Sequence, residues 1–401
     1  MIKHLYLSMI CLCVCSQLAM AQATDAWYQK ADFAGTGREV PVSFSINGKG
    51  YIGMGDDGSN PLSDMWEYNP GSNSWIQKAS FPDTARYEAF VFTIGNKAYI
   101  GGGFNPVLNK NYKDLWEFDP TANTWTKKAN FGGLPTRTAT GFAINGMGYV
   151  CTGSDSTGWS TDLWQYNPGT NSWAKKADFP GTGRIGGTAF SIGNIGYFGT
   201  GFDSLSVENS DFWAYNSGTN SWSQKMAFPG NGRRHAAAFA IGNTGYLGVG
   251  NQWVPNLFYY NDFYSYNPGS DMWTRVTDYT GWGRGGAGFF SIGNFGYVGA
   301  GIFNGTIEND FWQYSPNGST GVDDLNADAG FTMYPSPAGD FVCIKTTSVQ
   351  PLQVSIYDVS GKRILETAFA QRINIASLAS GMYYVEVRGE AGLVRKVLVK
   401  M

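Results

Sequence analysis

The chain has 401 residues, 43% of them apolar, with 54 glycines, 16% aromatic and only 15% charged residues, and a formal net charge of −3. That balance suits short strands joined by tight turns better than amphipathic helices, so the expected class is all-β. Both signs of charge are spread along the chain, which leaves no basic footprint for nucleic acid or an anionic membrane and excludes both as partners.

The first predicted element is a leader. Met1, Ile2 and Lys3 precede an apolar run from Leu5 to Ala19, closed by small residues at Ala19 and Ala21. This reads as a secretory signal peptide over residues 1–21, too short for a span, so no transmembrane segment is expected in the mature chain. Cys11, Cys13 and Cys15 would leave with it. Cys151 and Cys343 remain, each inside an apolar strand pattern and in different domains, and are read as buried free thiols. With His235 the one histidine left after cleavage, neither a metal site nor a cofactor is expected.

A tryptophan then recurs at Trp27, Trp75, Trp125, Trp173, Trp222 and Trp273, in steps of 48 to 51 residues. Asp-x-aromatic recurs at Asp64, Asp114, Asp162, Asp211, Asp262 and Asp310, which makes six units. Each unit reads as four strands, exemplified by "VSFSI" (42–46), "GYIGMG" (50–55), "MWEYNP" (65–70) and "SWIQKA" (74–79). The asparagines at 47, 96, 145, 194, 243 and 294 mark hairpins that need a positive φ. A lone sheet of this kind cannot bury both faces, so the units are expected to stack around an axis as a β-propeller. The chain opens with a fourth strand, "WYQKADF" (27–33), and its last unit stops after the third, "FWQYSP" (311–316); the N-terminal strand is expected to complete the last blade.

This period, with paired or near-paired glycines after the second strand and regularly spaced aromatics, resembles the Kelch family of β-propellers over residues 27–316. The departures are slight: Gly-x-Gly replaces the double glycine at 53–55 and 299–301, and Tyr264 stands for the repeated tryptophan. The resemblance implies a six-bladed ring occupying residues 22–316, expected to be monomeric.

Length varies between copies in one place. The interval from the strand-two glycine to the aspartate runs 9, 11, 9, 10, 12 and 9 residues through the six units, whereas aspartate to the next tryptophan is always 11. The variable loop lies at the same end of the ring as the connection between units, and loops on a rigid scaffold are where function usually resides. Aromatics expected to be exposed there are Phe104, Trp159, Phe202, Trp253, Phe258, Tyr259, Tyr260 and Phe303, with Trp282 on a neighbouring connection. Such rings offer rigid contact area for sugars or peptides. Each unit also places an arginine at the head of its first strand: Arg38, Arg86, Arg137, Arg184, Arg233 and Arg284. A ring of guanidiniums could grip an anionic ligand, although a repeat fixture bonding loop carbonyls or a neighbouring Asp is the favoured account of most of them. The interval from this arginine to the glycine is 17 residues everywhere except Arg137 to Gly153, which is 16. "RYE" (86–88) and "RRH" (233–235) differ most from the other copies. The repeated aspartates are read as architecture.

Two enzymatic precedents bear on the Kelch resemblance. A galactose-oxidase-like copper site would need two histidines and a tyrosine–cysteine pair, which this chain lacks. An N-acetylneuraminate-epimerase-like activity would need an acid/base pair near a carboxylate-binding arginine; Glu39, Glu88 and His235 lie beside the arginine ring, and a buried acid there would decide for it. No catalytic residue is assigned from sequence. The reading is a binding protein whose propeller loops recognise a glycan or a protein, with a sugar-modifying enzyme of the epimerase type as the alternative.

The text changes after Pro316 to an aperiodic linker (317–328). Runs of alternating character follow over 329–401 and predict a small Ig-like β-sandwich. "YPSPA" (334–338), "IYDVSGK" (356–362), "LASGMYYVEV" (378–387) and "KVLVK" (396–400) closely resemble the C-terminal sorting domain of type IX (Por) secretion cargo. The motif residues are Tyr334, Pro335, Pro337, Gly361, Lys362 and Gly381, with Ser336 where that family commonly has Asn. The resemblance implies the type IX machinery as a partner. It also implies passage through the periplasm to the medium or the outer-membrane surface of a Gram-negative bacterium.

Overall fold

A computed structural model describes residues 25–316, 331–334, 338–346, 351–358, 362–370, 372–389 and 392–400. The expected leader 1–21, the linker 317–328, and Pro335, Pro337 and Gly361 of the sorting motif lie outside them. The described residues contain strands and turns and no helix.

In the first repeat, Val42–Ile46, Lys49–Gly53, Met65–Asn69 and Ser74–Lys78 form one antiparallel sheet in chain order. Val42, Phe44 and Ile46 are buried and Ser43 and Ser45 less so, the period of two that a strand imposes. Five further sheets repeat this order. The hairpin chemistry differs in detail from expectation. At "NG", both Asn47 (φ 51) and Gly48 (φ 71) are left-handed, whereas at "GN" the positive φ belongs to the glycine, as at Gly95 (φ 56), and not to Asn96.

Neighbouring blades lock through the second strand. The Phe290 ring fills the space over Gly50, where a Cβ would meet it at 2.1 Å. Gly148 receives Phe92 in the same way. Only a residue without a side chain lets the adjacent blade approach so closely.

The six tryptophans that define the repeat perform one task. Each indole Nε1 donates to a backbone carbonyl at the end of the preceding blade's fourth strand: Trp75 to Ala31 at 3.1 Å, Trp125 to Ala79 at 2.9 Å, Trp173 to Ala129 at 3.3 Å, Trp222 to Ala177 at 3.0 Å and Trp273 to Met226 at 2.9 Å. Trp27 completes the circuit by donating to Thr277 at 3.0 Å. Its strand, Ala26–Gln29, pairs antiparallel with Phe311–Ser315 and aligns Trp27 with Tyr314. The ring is therefore closed by a sheet that joins the two ends of the repeat region.

The C-terminal residues form a three-stranded and a four-stranded sheet. Val342 and Ile344 of the first pack with Val354, Ile356, Val385, Val387 and Leu398 of the second in one core. This is the sandwich that strand alternation predicts. Tyr334 ends the strand Phe331–Tyr334 and Gly381 begins Gly381–Gly389. Lys362 closes a turn in which its N–H donates to the Asp358 carboxylate at 3.0 Å.

Candidate functional site

Five of the six arginines proposed as a ligand-gripping ring are not open to any ligand. Arg38, Arg86, Arg184, Arg233 and Arg284 are at most 1% exposed. Each is ion-paired with the repeated aspartate of its own unit, as in Arg38 to Asp64 and Arg86 to Asp114, both at 2.6 Å. In Arg38 the remaining donors are also used. Arg38 Nε donates to the Thr36 carbonyl at 3.0 Å and its Nη1 to Met54 at 2.9 Å, while the guanidinium lies 4.8 Å from the Phe33 ring centroid. The aspartates in turn accept from the next tryptophan, Trp66 Nε1 to Asp64 at 2.7 Å. A guanidinium buried against its own carboxylate in this way has little left to offer a ligand, so these arginines and aspartates are architecture.

Arg137 breaks the pattern, and the interval shorter by one residue is the cause. Thr136 occupies the buried position in the third unit, which moves Arg137 one residue onward to the rim of the axial channel. Its side chain is 38% exposed, with Nε 3.9 Å from Glu88 Oε2 and the guanidinium 4.3 Å from the Phe104 centroid. Asp162, deprived of an arginine, pairs with Lys175 at 2.9 Å.

The position Arg137 has taken is the one that carries chemistry. One residue beyond the buried arginines stand Glu39, Tyr87, Ile185, Arg234 and Gly285. One further stand Val40, Glu88, Thr138, Gly186, His235 and Gly286, all left-handed with φ between 44° and 62°. Backbone bonds link these last residues around the axis: Val40 N–H to Gly286 O at 2.8 Å, Thr138 to Glu88 at 3.0 Å and His235 to Gly186 at 2.8 Å. This belt explains why residues as unsuited to positive φ as Val40 and Thr138 are held there. Its six members line the mouth of a channel of about 460 Å³ running down the axis between the first strands.

Around that mouth gather carboxyl and guanidinium groups: Glu39 and Glu88 from adjacent blades, then Arg137, Glu208 and Arg234. Arg234 is 3% exposed, and its Nε has no hydrogen-bond partner. It lies 3.0 Å beneath the centroid of Trp253, and no carboxylate among the described residues comes within ion-pair distance. Glu39, Glu88 and Glu208 act on it electrostatically, but burial is the larger influence and draws its pKa down to about 10. Burial pushes Glu88 from 4.5 up to about 7 against the pull of Arg137 and Arg234. Glu39 and Glu208 are also raised by burial. The His235 ring is packed over Gly186, its Nε2 unpartnered; burial, and then Arg234, depress its pKa to about 3. It is neutral at ordinary pH.

The loop aromatics divide. Trp253, Phe258 and Trp282 are exposed at 54%, 54% and 66%. Tyr260, expected to be exposed, is 6% exposed and lies on Arg233 at 4.0 Å, so its ring is packing. Phe202 is buried as well. Trp159 and Tyr259 are half-buried, Trp159 beside Phe202 at 5.5 Å and Tyr259 beside Phe303 at 5.6 Å. Of the unit-five aromatics, Trp253 thus lies on Arg234 and Tyr260 on Arg233. Sequence reasoning missed Glu208, whose carboxylate accepts from the Trp253 N–H at 2.7 Å; it sits in a variable loop with no repeat partner to mark it. Cys151 is a buried free thiol, whereas Cys343, expected to be buried, is free but half-buried. No group of three or more possible metal ligands occurs among the described residues.

The Kelch motif model matches residues 85–132, and the secretion system C-terminal sorting domain model matches residues 332–400. No curated protein matches the chain. Among solved structures, that titled "Structure of YjhT" is similar with a TM-score of 0.62 at 15% identity, over 70% of this chain and 95% of the other; at that identity the likeness concerns the fold. The chain is thus an all-β protein of the Kelch propeller type with a type IX sorting domain at its C-terminal end, destined for secretion or the cell surface.

Proposed function

We propose that the mature protein is a secreted or surface-held glycan-binding protein whose ligand enters the loop-side mouth of the propeller channel. The observation that carries this reading is the gathering of Glu39, Glu88, Glu208 and Arg137 at the mouth, with the unpartnered Nε of Arg234 behind Trp253 and exposed indoles alongside. A hydroxyl group both donates and accepts, so a polyol suits a rim that offers acceptors and donors together. A strongly anionic partner would meet the carboxylates, and a cationic one the guanidiniums. Aromatic faces beside such a rim suit the apolar face of a sugar ring. In this reading residues 1–21 are a signal peptide, 22–316 a monomeric propeller, 317–328 a linker and 329–401 the export signal. A glycan array with the mature chain tests it: binding to a subset of glycans that is lost in Arg137→Ala is expected, and binding to none overturns it.

A second reading, proton transfer on a sugar, is favoured by Glu88, a half-buried acid beside Arg137 whose Oε2 is buried without a hydrogen-bond partner and whose pKa is raised to about 7. A carboxyl so poised can give and take a proton at neutral pH. The test is exchange at the anomeric centre of reducing sugars, followed by NMR. Glu88→Gln should abolish the catalysed rate while leaving binding in place, and a rate equal to that in buffer alone rejects catalysis.

A further inference from the structure

From the placement of the loop aromatics we infer that the site takes a chain of sugar rings lying across blades three to six, rather than a single sugar; this rests on the glycan reading above. Two indoles are each backed on one face and open on the other. Trp253 has the Arg234 guanidinium 3.0 Å from its centroid and is 54% exposed. Trp282 lies parallel to Phe303, with centroids 5.4 Å apart and planes at 12°, and is 66% exposed. A backed indole holds its free face in a fixed orientation, so that little rotamer entropy remains to be lost when a ring docks.

The two platforms belong to different blades and are joined by further rings. On one side Trp253 meets Phe202 at 6.4 Å, and Phe202 meets Trp159 at 5.5 Å. On the other, Trp282 meets Phe303, which meets Tyr259 at 5.6 Å. The unit-five hairpin connects both halves, because its paired strands Asn251–Gln252 and Phe258–Tyr259 set Trp253 on one flank and Tyr259 on the other. Glu208 fixes this hairpin to the neighbouring loop through the Trp253 N–H. Glu39, Glu88, Arg137 and Arg234 lie at the channel mouth beside this hairpin. One sugar ring can occupy the rim or one indole; a ligand that uses both platforms must have several rings.

Titration calorimetry of the mature chain with cello-, malto-, xylo- and galacturono-oligosaccharides, each from one ring to six, tests this. In the ladder that binds, affinity should rise with chain length. Trp282→Ala should flatten that rise, removing about tenfold of the gain shown by the long members. Since Trp282 is exposed, an unchanged melting temperature should accompany the loss. Equal affinity for one ring and six overturns the chain inference and leaves glycan binding standing. Binding of no ladder, with capture of a protein through the same indoles, overturns both.

Discussion

At the scale of the residue, the same side chain serves two ends according to a single step in register. Arg284 is fully buried against Asp310, and Asp310→Ala would leave a guanidinium without a counter-ion; the expected loss is about 3 kcal/mol, read from the urea midpoint. Asp162 in the third unit has the exposed Lys175 instead, so Asp162→Asn should cost under about 1 kcal/mol. Equal losses would show that the buried pair confers nothing special. The mouth residues predict opposite responses to pH. Glu88 has a higher pKa folded, about 7, than its ordinary 4.5, so its contribution is present below 4.5 and is lost as pH rises through 7. Glu88→Gln should therefore gain stability relative to the wild type across that window. His235 has a lower pKa folded, about 3, than its ordinary 6.5, so its contribution is present above 6.5 and is lost as pH falls toward 3. His235→Phe should blunt that acid loss. Melting temperatures of the three proteins from acid to neutral pH check both signs, and parallel curves would contradict the assigned burial.

At the scale of the element, the strand Ala26–Gln29 does more than its four residues suggest. Trp27 packs edge-on against Phe263 and Tyr279, at 5.1 and 5.0 Å, and Asp25 accepts from the Thr277 N–H at 2.6 Å. Deleting residues 22–33 removes these contacts and bares the edge of Phe311–Ser315, a template for pairing with other chains. We expect a loss of about 4 kcal/mol or more, the scale of a buried tryptophan cut away, together with aggregation seen by size-exclusion chromatography. A monomer with unchanged melting temperature would refute this. The unit-five hairpin contrasts with that strand. Its tip residues Trp253 and Phe258 are exposed, so their truncation should act on ligand affinity and leave the ring intact.

At the scale of the molecule, the tail and the propeller keep separate cores. The cluster around Val342, Val354 and Val385 contains tail residues alone, and the six clusters of the ring contain none of them. Removal of residues 329–401 should therefore leave a folded propeller with its melting temperature intact, retained in the periplasm. Surface delivery of the shortened chain, detected by protease shaving of whole cells, would refute the export assignment, and loss of folding would refute the separation of cores.

The fold was legible in the sequence because its causes are local and repeated. Alternation at 42–46, glycine at 50 and 148, and tryptophan at each blade edge are short-range instructions that six copies state in unison. The sorting domain was legible for a similar reason, as a run of turn and strand motifs. The candidate site was legible only in part. The sequence marked the loop end, Glu88, His235 and the odd interval at Arg137. Of the six arginines it marked, five are buried and Arg137 alone stands at the mouth, since nothing in a unit read alone says which arginine is buried. Burial is a property of the closed ring. Asp64 meets Arg38 across 26 residues of chain, and Glu39, Glu88, Arg137 and Arg234 come from four separate blades that only circular packing brings to one mouth. Tyr260 and Tyr259 are neighbours in sequence, and strand alternation turns one onto Arg233 and the other toward Phe303. Such partitions depend on contacts between units, so tertiary structure alone decided which charges and rings face a ligand.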